Sequence, residues 1–162
     1  MSESAALETG IGSGHWEKME FRILLEPRQQ DRVRDRIVKT KTGRAYSQKY
    51  KSTKQQLYER QLAAFICEQS PDGPLKGPII LDIQSYIEVP SSKTKKFHAA
   101  ADRGEEWPTG KPDASNLLKN LEDIGNKILW VDDAQIVDVR IRKSYGSPAR
   151  WQLTVWYRKD RQ

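Results

Sequence analysis

Two apolar periodicities alternate along this chain, and together they constrain its fold. Apolar residues alternate with polar ones, as in half-buried strands, over residues 19–25, 79–89, 137–141 and 151–157. They recur at helical spacing over residues 53–68 and 113–125. The order β-α-β-α-β-β predicts a single α+β domain, with the helices packed against a mixed sheet. We also expect the last two strands to pair as a hairpin, because turn residues separate them.

Length and composition narrow the class of protein. A chain of 162 residues is long enough for one domain with a hydrophobic core. We expect this domain to span residues 17–159, preceded by a flexible tail of residues 1–16 that is rich in Ser, Gly and Ala. The sequence contains no apolar run long enough to span a membrane and no signal-peptide pattern at its start. The single cysteine, Cys67, permits no internal disulfide, so we expect a cytoplasmic protein.

Positive charge is concentrated in one segment of a chain whose formal net charge is +6. Residues 27–54 contain ten basic side chains and two acids, Asp31 and Asp35. Local positive charge of this kind binds phosphate backbones, although a solvated loop without a partner is the simpler alternative. The segment lacks hydrophobic periodicity, which predicts a long functional loop. The candidate DNA-binding residues are Arg28, Arg32, Arg34, Arg36, Lys39, Lys41 and Arg44, with Lys93, Lys95 and Lys96 in a later polar loop.

Acidic residues flank the second predicted helix. Asp113 lies at its start, where the helix dipole favours an ionised carboxylate, and Asp132 and Asp133 lie between its end and the next strand. Mg²⁺ prefers carboxylate oxygens, so these three aspartates are the candidate metal ligands. Lys119, on the polar half of the same helix, could offset the negative charge of a reacting phosphate. Each residue alone has a simpler interpretation, since Asp113 could be only a helix cap and the Asp132–Asp133 pair only a turn.

The joint spacing of these residues resembles the signature of the RusA family of Holliday-junction resolvases. That signature reads roughly P-D-x-D-N-L-x-K, followed by W-x-D-D-x-Q-I-V. The matching residues here are Pro112, Asp113, Asn116, Leu117 and Lys119, then Trp130, Asp132, Asp133, Gln135, Ile136 and Val137. A looser resemblance extends from about residue 19 to residue 157. One position departs from the pattern, because Ser115 stands where the family has its second aspartate.

The resemblance implies a homodimeric, Mg²⁺-dependent endonuclease, with Mn²⁺ as an alternative metal. Such enzymes act in DNA recombination and repair, resolve four-way junctions by paired symmetric nicks, and are often encoded by phages or prophages. The resemblance assigns metal-binding catalytic roles to Asp113 and Asp133, a catalytic role to Lys119 and a supporting role to Asp132.

Two alternatives remain open at the level of sequence. In the first, the protein binds junctions but its catalysis is weakened or lost, because the Ser115 hydroxyl is neutral and a weaker Mg²⁺ ligand than a carboxylate. Glu122 lies about two turns beyond Ser115 on the same helical face and is the candidate substitute carboxylate. In the second alternative, the chain is a general nucleic-acid-binding domain and its acids are structural.

Overall fold

Strands and helices follow one another in the order that the periodicities predict. The computed structural model describes residues 16–31, 34–70 and 73–158. Its elements are β1 (Trp16–Ile23), β2 (Arg34–Lys39), β3 (Ala45–Tyr50), α1 (Thr53–Gln69), β4 (Ile79–Ile87), α2 (Lys95–Asp102), α3 (Ala114–Gly125), a 3-10 turn (Asp133–Gln135), β5 (Ile136–Tyr145) and β6 (Arg150–Arg158). The α+β class and the order β-α-β-α-β-β are confirmed. The structure adds the strands β2 and β3 and the short helix α2 to that order.

The main sheet has the strand order β1-β6-β4-β5. Strand β6 runs antiparallel to both β1 and β4, whereas β4 and β5 are parallel. The predicted hairpin between the last two strands is therefore wrong, because β4 lies between them. Strand β4 opens with the apolar run Ile79-Ile80-Leu81, all three buried, which suits a central strand.

The hydrophobic core lies between this sheet and the helices α1 and α3. Helix α1 buries Leu62 and Ile66, and α3 buries Leu117 and Leu121. Both sets belong to one cluster with the buried side chains of the sheet. The two helices also contact each other, α1 packing against β1 and α3 against β5. This packing fixes α3, which carries most of the signature, against the sheet. None of the described helices has the length and apolar composition needed to cross a bilayer.

The basic segment contains a β-hairpin, not the loop that its lack of periodicity predicts. Strands β2 and β3 pair antiparallel over their whole length and form a two-stranded sheet of their own. The turn between them uses Gly43, whose positive φ of 82° a residue with a side chain rarely adopts. The hairpin escaped sequence analysis because it has no buried face: Ile37 is 77% exposed and Tyr46 51% exposed.

The predicted N-terminal tail and the predicted later polar loop have different outcomes. Apart from Trp16, with which β1 begins, the expected tail lies outside the described residues. The polar loop that carries the three lysines contains α2, capped by Thr94, whose Oγ1 accepts from the backbone N–H of Phe97 at 3.3 Å. With only eight residues and one large apolar side chain, α2 leaves little periodic signal in the sequence.

A buried tyrosine joins α1 to the segment after β1 and to β6. The Tyr58 hydroxyl donates to the carbonyl oxygen of Glu26 at 2.9 Å and accepts from the backbone N–H of Arg28 at 3.2 Å. It also accepts from Trp151 Nε1 at 3.2 Å. The Tyr58 hydroxyl thus uses its one donor and both of its acceptor sites. Burial raises the pKa of Tyr58, so its hydroxyl stays protonated and keeps donating.

Tyr58→Phe is expected to lower the free energy of unfolding by about 2 kcal/mol, because it leaves buried polar groups without a partner. Urea denaturation followed by circular dichroism measures this change. Tyr46→Phe, which removes the same hydroxyl from an exposed side chain, is the matched control and should leave the midpoint unchanged. Equal midpoints for the two variants would show that the Tyr58 hydrogen bonds add nothing to stability.

Candidate active site

Asp113 lies at the start of α3, as the sequence predicts. It is the N-cap residue and is exposed, and its Oδ2 accepts a hydrogen bond from Asn116 Nδ2 at 3.2 Å. This bond links the residue before α3 to the first turn of the helix. A lysine of β5 holds the loop before Asp113 in place. Lys143 Nζ donates to the carbonyl oxygens of Gly110 and Pro112, both at 2.9 Å. Lys143 was not singled out from the sequence, which gives no sign of this distant contact.

The polar face of α3 carries the divergent position and the predicted catalytic lysine. Ser115 and Lys119 are both exposed, one helical turn apart. Glu122 follows in the last turn and is half-buried. The opposite face carries the core residues of α3, so the division predicted from periodicity is confirmed. This face offers solvent-accessible side chains to a polyanionic substrate.

The two aspartates after α3 have different surroundings. Asp132 caps the 3-10 turn, since one carboxylate oxygen accepts from the backbone N–H of Ala134 at 2.9 Å. Gln135 Oε1 accepts a hydrogen bond from the backbone N–H of Asp132, and Gln135 Nε2 donates to the carbonyl oxygens of Leu75 and Gly77. Asp133 is the first residue of the turn and is exposed. Asp132 therefore builds the turn, and Asp133 presents its carboxylate to solvent.

The acidic turn reaches α3 near Glu122. The turn contacts α3, and burial raises the pKa of the Glu122 carboxyl, with the charges of Asp133 and Asp123 adding to the rise. Lys119 opposes that rise. Asp133 and Lys119 therefore each lie within electrostatic range of Glu122. The sequence indicated Glu122 only as a substitute for the missing family acid and gave no sign of its proximity to Asp133.

Asp113 and Glu122 lie at opposite ends of α3, too far apart for one residue to lie close to both. Glu122 lies nine residues beyond Asp113, roughly 14 Å along the helix axis at the α-helical rise. Throughout the residues that the structure describes, no three Asp, Glu, His or Cys side chains are close enough together to hold a metal ion. The set of Asp113, Asp132 and Asp133 as metal ligands therefore stays a prediction.

The donors present nevertheless fit Mg²⁺ in their chemistry. Mg²⁺ in enzymes of this kind is bound by one or two carboxylates, with waters and substrate phosphate oxygens completing its shell. Asp133 supplies an exposed carboxylate, and Glu122 supplies a second one, whose pKa is raised first by burial and further by repulsion from the charges of Asp133 and Asp123. A cation relieves that repulsion, so the pair suits a divalent metal.

One of the predicted DNA-binding residues, Arg28, lines a cleft that extends to Pro112, the residue before Asp113. The cleft has a volume of about 350 Å³ and includes Arg28, Lys54, Lys111 and Pro112 in its lining. The Arg28 guanidinium also donates to Glu26 Oε2 at 2.6 and 2.9 Å. Lys54 and Lys111 were not among the candidates from the sequence. Lys111 is close to Asp113 in the sequence, but only the fold brings Lys54 to the same cleft.

The remaining basic candidates lie on the hairpin and near α2. Arg36, Lys39, Lys41 and Arg44 are exposed on the hairpin, and Arg34 begins β2. Arg32 lies outside the described residues. Lys93 Nζ is 4.6 Å from the centroid of the Phe97 ring, while Lys95 and Lys96 are exposed in the first turn of α2. Their assignment to DNA stays a prediction.

The last part of the signature serves the core. Trp130 is fully buried, and Ile136 packs against the core cluster. A side chain at Gly125, where α3 ends, would overlap the Trp130 indole. The signature tryptophan therefore packs on a glycine, which brings the chain after α3 close to the helix and positions the acidic turn.

An α+β domain with exposed carboxylates on a helix and its following turn, and with local positive charge, fits a nuclease. Residues 26–155 match the RusA family, described as endodeoxyribonuclease RusA. The chain therefore belongs to the RusA family, whose members act as endodeoxyribonucleases on Holliday junctions and generally require a divalent metal. It is also similar to the uncharacterized protein YqaN of Bacillus subtilis (strain 168), with 29% identity over 140 residues that cover 85% of this chain and 94% of YqaN.

Proposed function

We propose that this protein is a homodimeric, Mg²⁺-dependent endonuclease that resolves four-way DNA junctions by paired symmetric nicks. The observation that carries this proposal is the arrangement of the signature on α3 and its following turn. That arrangement keeps Lys119 and the Asp133 carboxylate exposed and within the electrostatic field of Glu122. Family membership supplies the reaction class, and these residues supply the groups that the reaction needs.

The proposed division of labour follows from the surroundings of each side chain. Asp113 before the start of α3 and Asp133 after its end act as metal-binding carboxylates, and Asp132 supports Asp133 by building the turn before β5. When bound, Mg²⁺ activates the attacking water and stabilises the leaving oxygen. Lys119 places an ammonium group beside the reacting phosphate and offsets its developing negative charge.

The basic residues hold the DNA backbone in this proposal. Arg28, Lys54 and Lys111 lie around the cleft next to Asp113, where they can contact the strand to be cut. The hairpin cations contact a further part of the junction. Such contacts orient the substrate without reading its sequence, so shape and charge would select the junction.

Paired nicking can be tested with a supercoiled plasmid that extrudes a cruciform. Two symmetric nicks made during one binding event convert the plasmid directly to its linear form. Uncoupled nicking by a monomer gives open circles first, and linear molecules appear only later. Linear product in the earliest time points supports the homodimer, since two active sites related by a two-fold axis suit symmetric nicks. Accumulation of open circles would contradict paired cleavage.

One observation favours a weakened enzyme as the second candidate. Ser115 replaces an acid of the family signature on the exposed face of α3, one turn before Lys119. Because the candidate metal site has one negative charge fewer, we expect junction cleavage to require high Mg²⁺ or to prefer Mn²⁺. We expect junction binding to be unaffected.

Ser115→Asp is expected to raise the rate of junction cleavage at low Mg²⁺ by at least about tenfold, or roughly 1.4 kcal/mol of transition-state stabilisation. The new carboxylate also lies in the first turn of α3, where the helix dipole favours it. Single-turnover cleavage across a Mg²⁺ titration measures the effect. Ser115→Asn, a neutral control of similar size, should give no gain. Full activity of the unmodified protein at low Mg²⁺, with no gain in Ser115→Asp, would show that this position is not a metal-ligand position.

A further inference from the structure

The hairpin β2–β3 concentrates the positive charge of the molecule. Its residues 34–50 contain six basic residues and one acid, Asp35, so the hairpin has a net charge of +5 in a chain whose formal net charge is +6. The hairpin pairs with no strand of the main sheet, and the described side chains of β3 are all exposed. A two-stranded hairpin without a packed face is only marginally stable in water. Its surface therefore suits a polyanionic partner that would also order it.

The cross-strand register sorts the hairpin side chains onto two faces. Residues directly opposite each other share a face, and Arg36 lies opposite Gln48 while Val38 lies opposite Tyr46. Alternation along β3 adds Tyr50 to the same side. We call these five residues the tyrosine face. Ile37 and Lys39 belong to the opposite face.

Exposed aromatic rings and an ordered guanidinium characterise the tyrosine face. Tyr46 is 51% exposed and Tyr50 38% exposed. Arg36 donates two hydrogen bonds to Gln48 Oε1, at 3.0 and 2.7 Å, which hold its side chain across the hairpin. The Arg36 guanidinium lies 5.6 Å from the centroid of the Tyr50 ring. The face thus combines flat apolar rings with fixed positive charge.

This combination is how proteins bind unpaired nucleotides. Bases stack on aromatic side chains while neighbouring cations contact the phosphates, and stacking tolerates any base sequence. In an intact duplex the faces of the bases are hidden within the stack. At the centre of a four-way junction the stack is interrupted, and base faces can become accessible. A second copy of this chain is a poorer partner, because two hairpins of charge +5 repel each other.

We propose that the tyrosine face binds unstacked bases at the branch point, while Lys41 and Arg44 in the turn and Lys39 on the opposite face contact the flanking phosphates. This inference rests on the proposed binding of four-way junctions and adds what is recognised there. The hairpin contributes a preference for junction over duplex that positive charge alone does not give.

The test compares affinity for a four-way junction with affinity for a linear duplex of the same base composition. Fluorescence anisotropy is measured at one fixed salt concentration, in EDTA, so that no cleavage occurs. The double variant Tyr46→Ala/Tyr50→Ala is expected to lower the ratio of junction to duplex affinity about tenfold. Ile37→Ala on the opposite face is the matched control and should keep the ratio of the unmodified protein. Tyr46→Phe/Tyr50→Phe keeps both rings and should restore most of the preference.

A second measurement needs no variant. With 2-aminopurine at the branch point, binding of the unmodified protein should quench its fluorescence, whereas the same base within an arm should respond little. Equal responses at the two positions, or an unchanged affinity ratio in the double alanine variant, would overturn the inference and leave the proposed function standing. A change in oligomeric state of the alanine variant without DNA would assign the face to a second copy and also overturn it. If the unmodified protein shows no junction preference, the proposed junction binding and this inference both fail.

Discussion

Asp133→Asn is expected to lower the rate of junction cleavage about a thousandfold, at the upper end of the loss seen when one preorganised electrostatic group is removed. The amide keeps the size of the side chain but removes the charge that would hold the metal. The fold should be unaffected, because Asp133 is exposed and the cap of its turn is formed by Asp132. Single-turnover cleavage of a labelled junction, together with junction affinity in EDTA, measures the two effects separately.

Asp123→Asn is the matched control for that substitution. It removes the same charge from an exposed position of α3 whose carboxylate accepts a hydrogen bond from Gln30 at 3.1 Å. We expect near-normal cleavage from this variant. Undiminished cleavage by Asp133→Asn, or an equal loss in both variants, would contradict a specific role for Asp133.

Lys119→Ala is expected to reduce cleavage about a hundredfold, because one electrostatic group near the reacting phosphate is lost. Its effect should fall on the maximal rate and leave the Mg²⁺ concentration for half-maximal activity unchanged, since its proposed partner is the phosphate. Lys119→Arg, which keeps the charge, should recover part of the rate. A large shift in the Mg²⁺ dependence of Lys119→Ala would show that the lysine acts through the metal site instead.

Local sequence patterns predicted the elements that bury one face. Helix α3 begins and ends as expected, because its apolar stripe, the cap residue Asp113 and Gly125 all act within a few residues. Helix α1 likewise begins where the helical spacing begins, with Ser52 as its cap, whose Oγ accepts from the backbone N–H of Gln55 at 3.1 Å. The hairpin in the basic segment was missed, because a ribbon exposed on both faces has no apolar period to detect.

Local sequence patterns did not predict the contacts between segments that are distant in the sequence. The turn between β5 and β6 resembles a hairpin turn locally, but β4 separates the two strands and pairs with both, so that Ile83 lies opposite Ile141 and Leu153. Only competition among all strands for the central position decides this order. In the same way, the signature identified Asp133 and Lys119, while the proximity of Glu122 to Asp133 depends on how the acidic turn folds back to α3.

The most direct test of the central claim is cleavage of a synthetic four-way junction with and without Mg²⁺, with a linear duplex as the control substrate. Denaturing gels resolve the nicked strands. Mn²⁺ is tested in parallel, because a site with Ser115 in place of an aspartate is expected to bind Mg²⁺ weakly at low Mg²⁺ concentration. We expect metal-dependent cleavage of the junction, no cleavage of the duplex, and no cleavage of either substrate in EDTA. Absence of junction cleavage at every Mg²⁺ and Mn²⁺ concentration, or equal cleavage of duplex and junction, would contradict it.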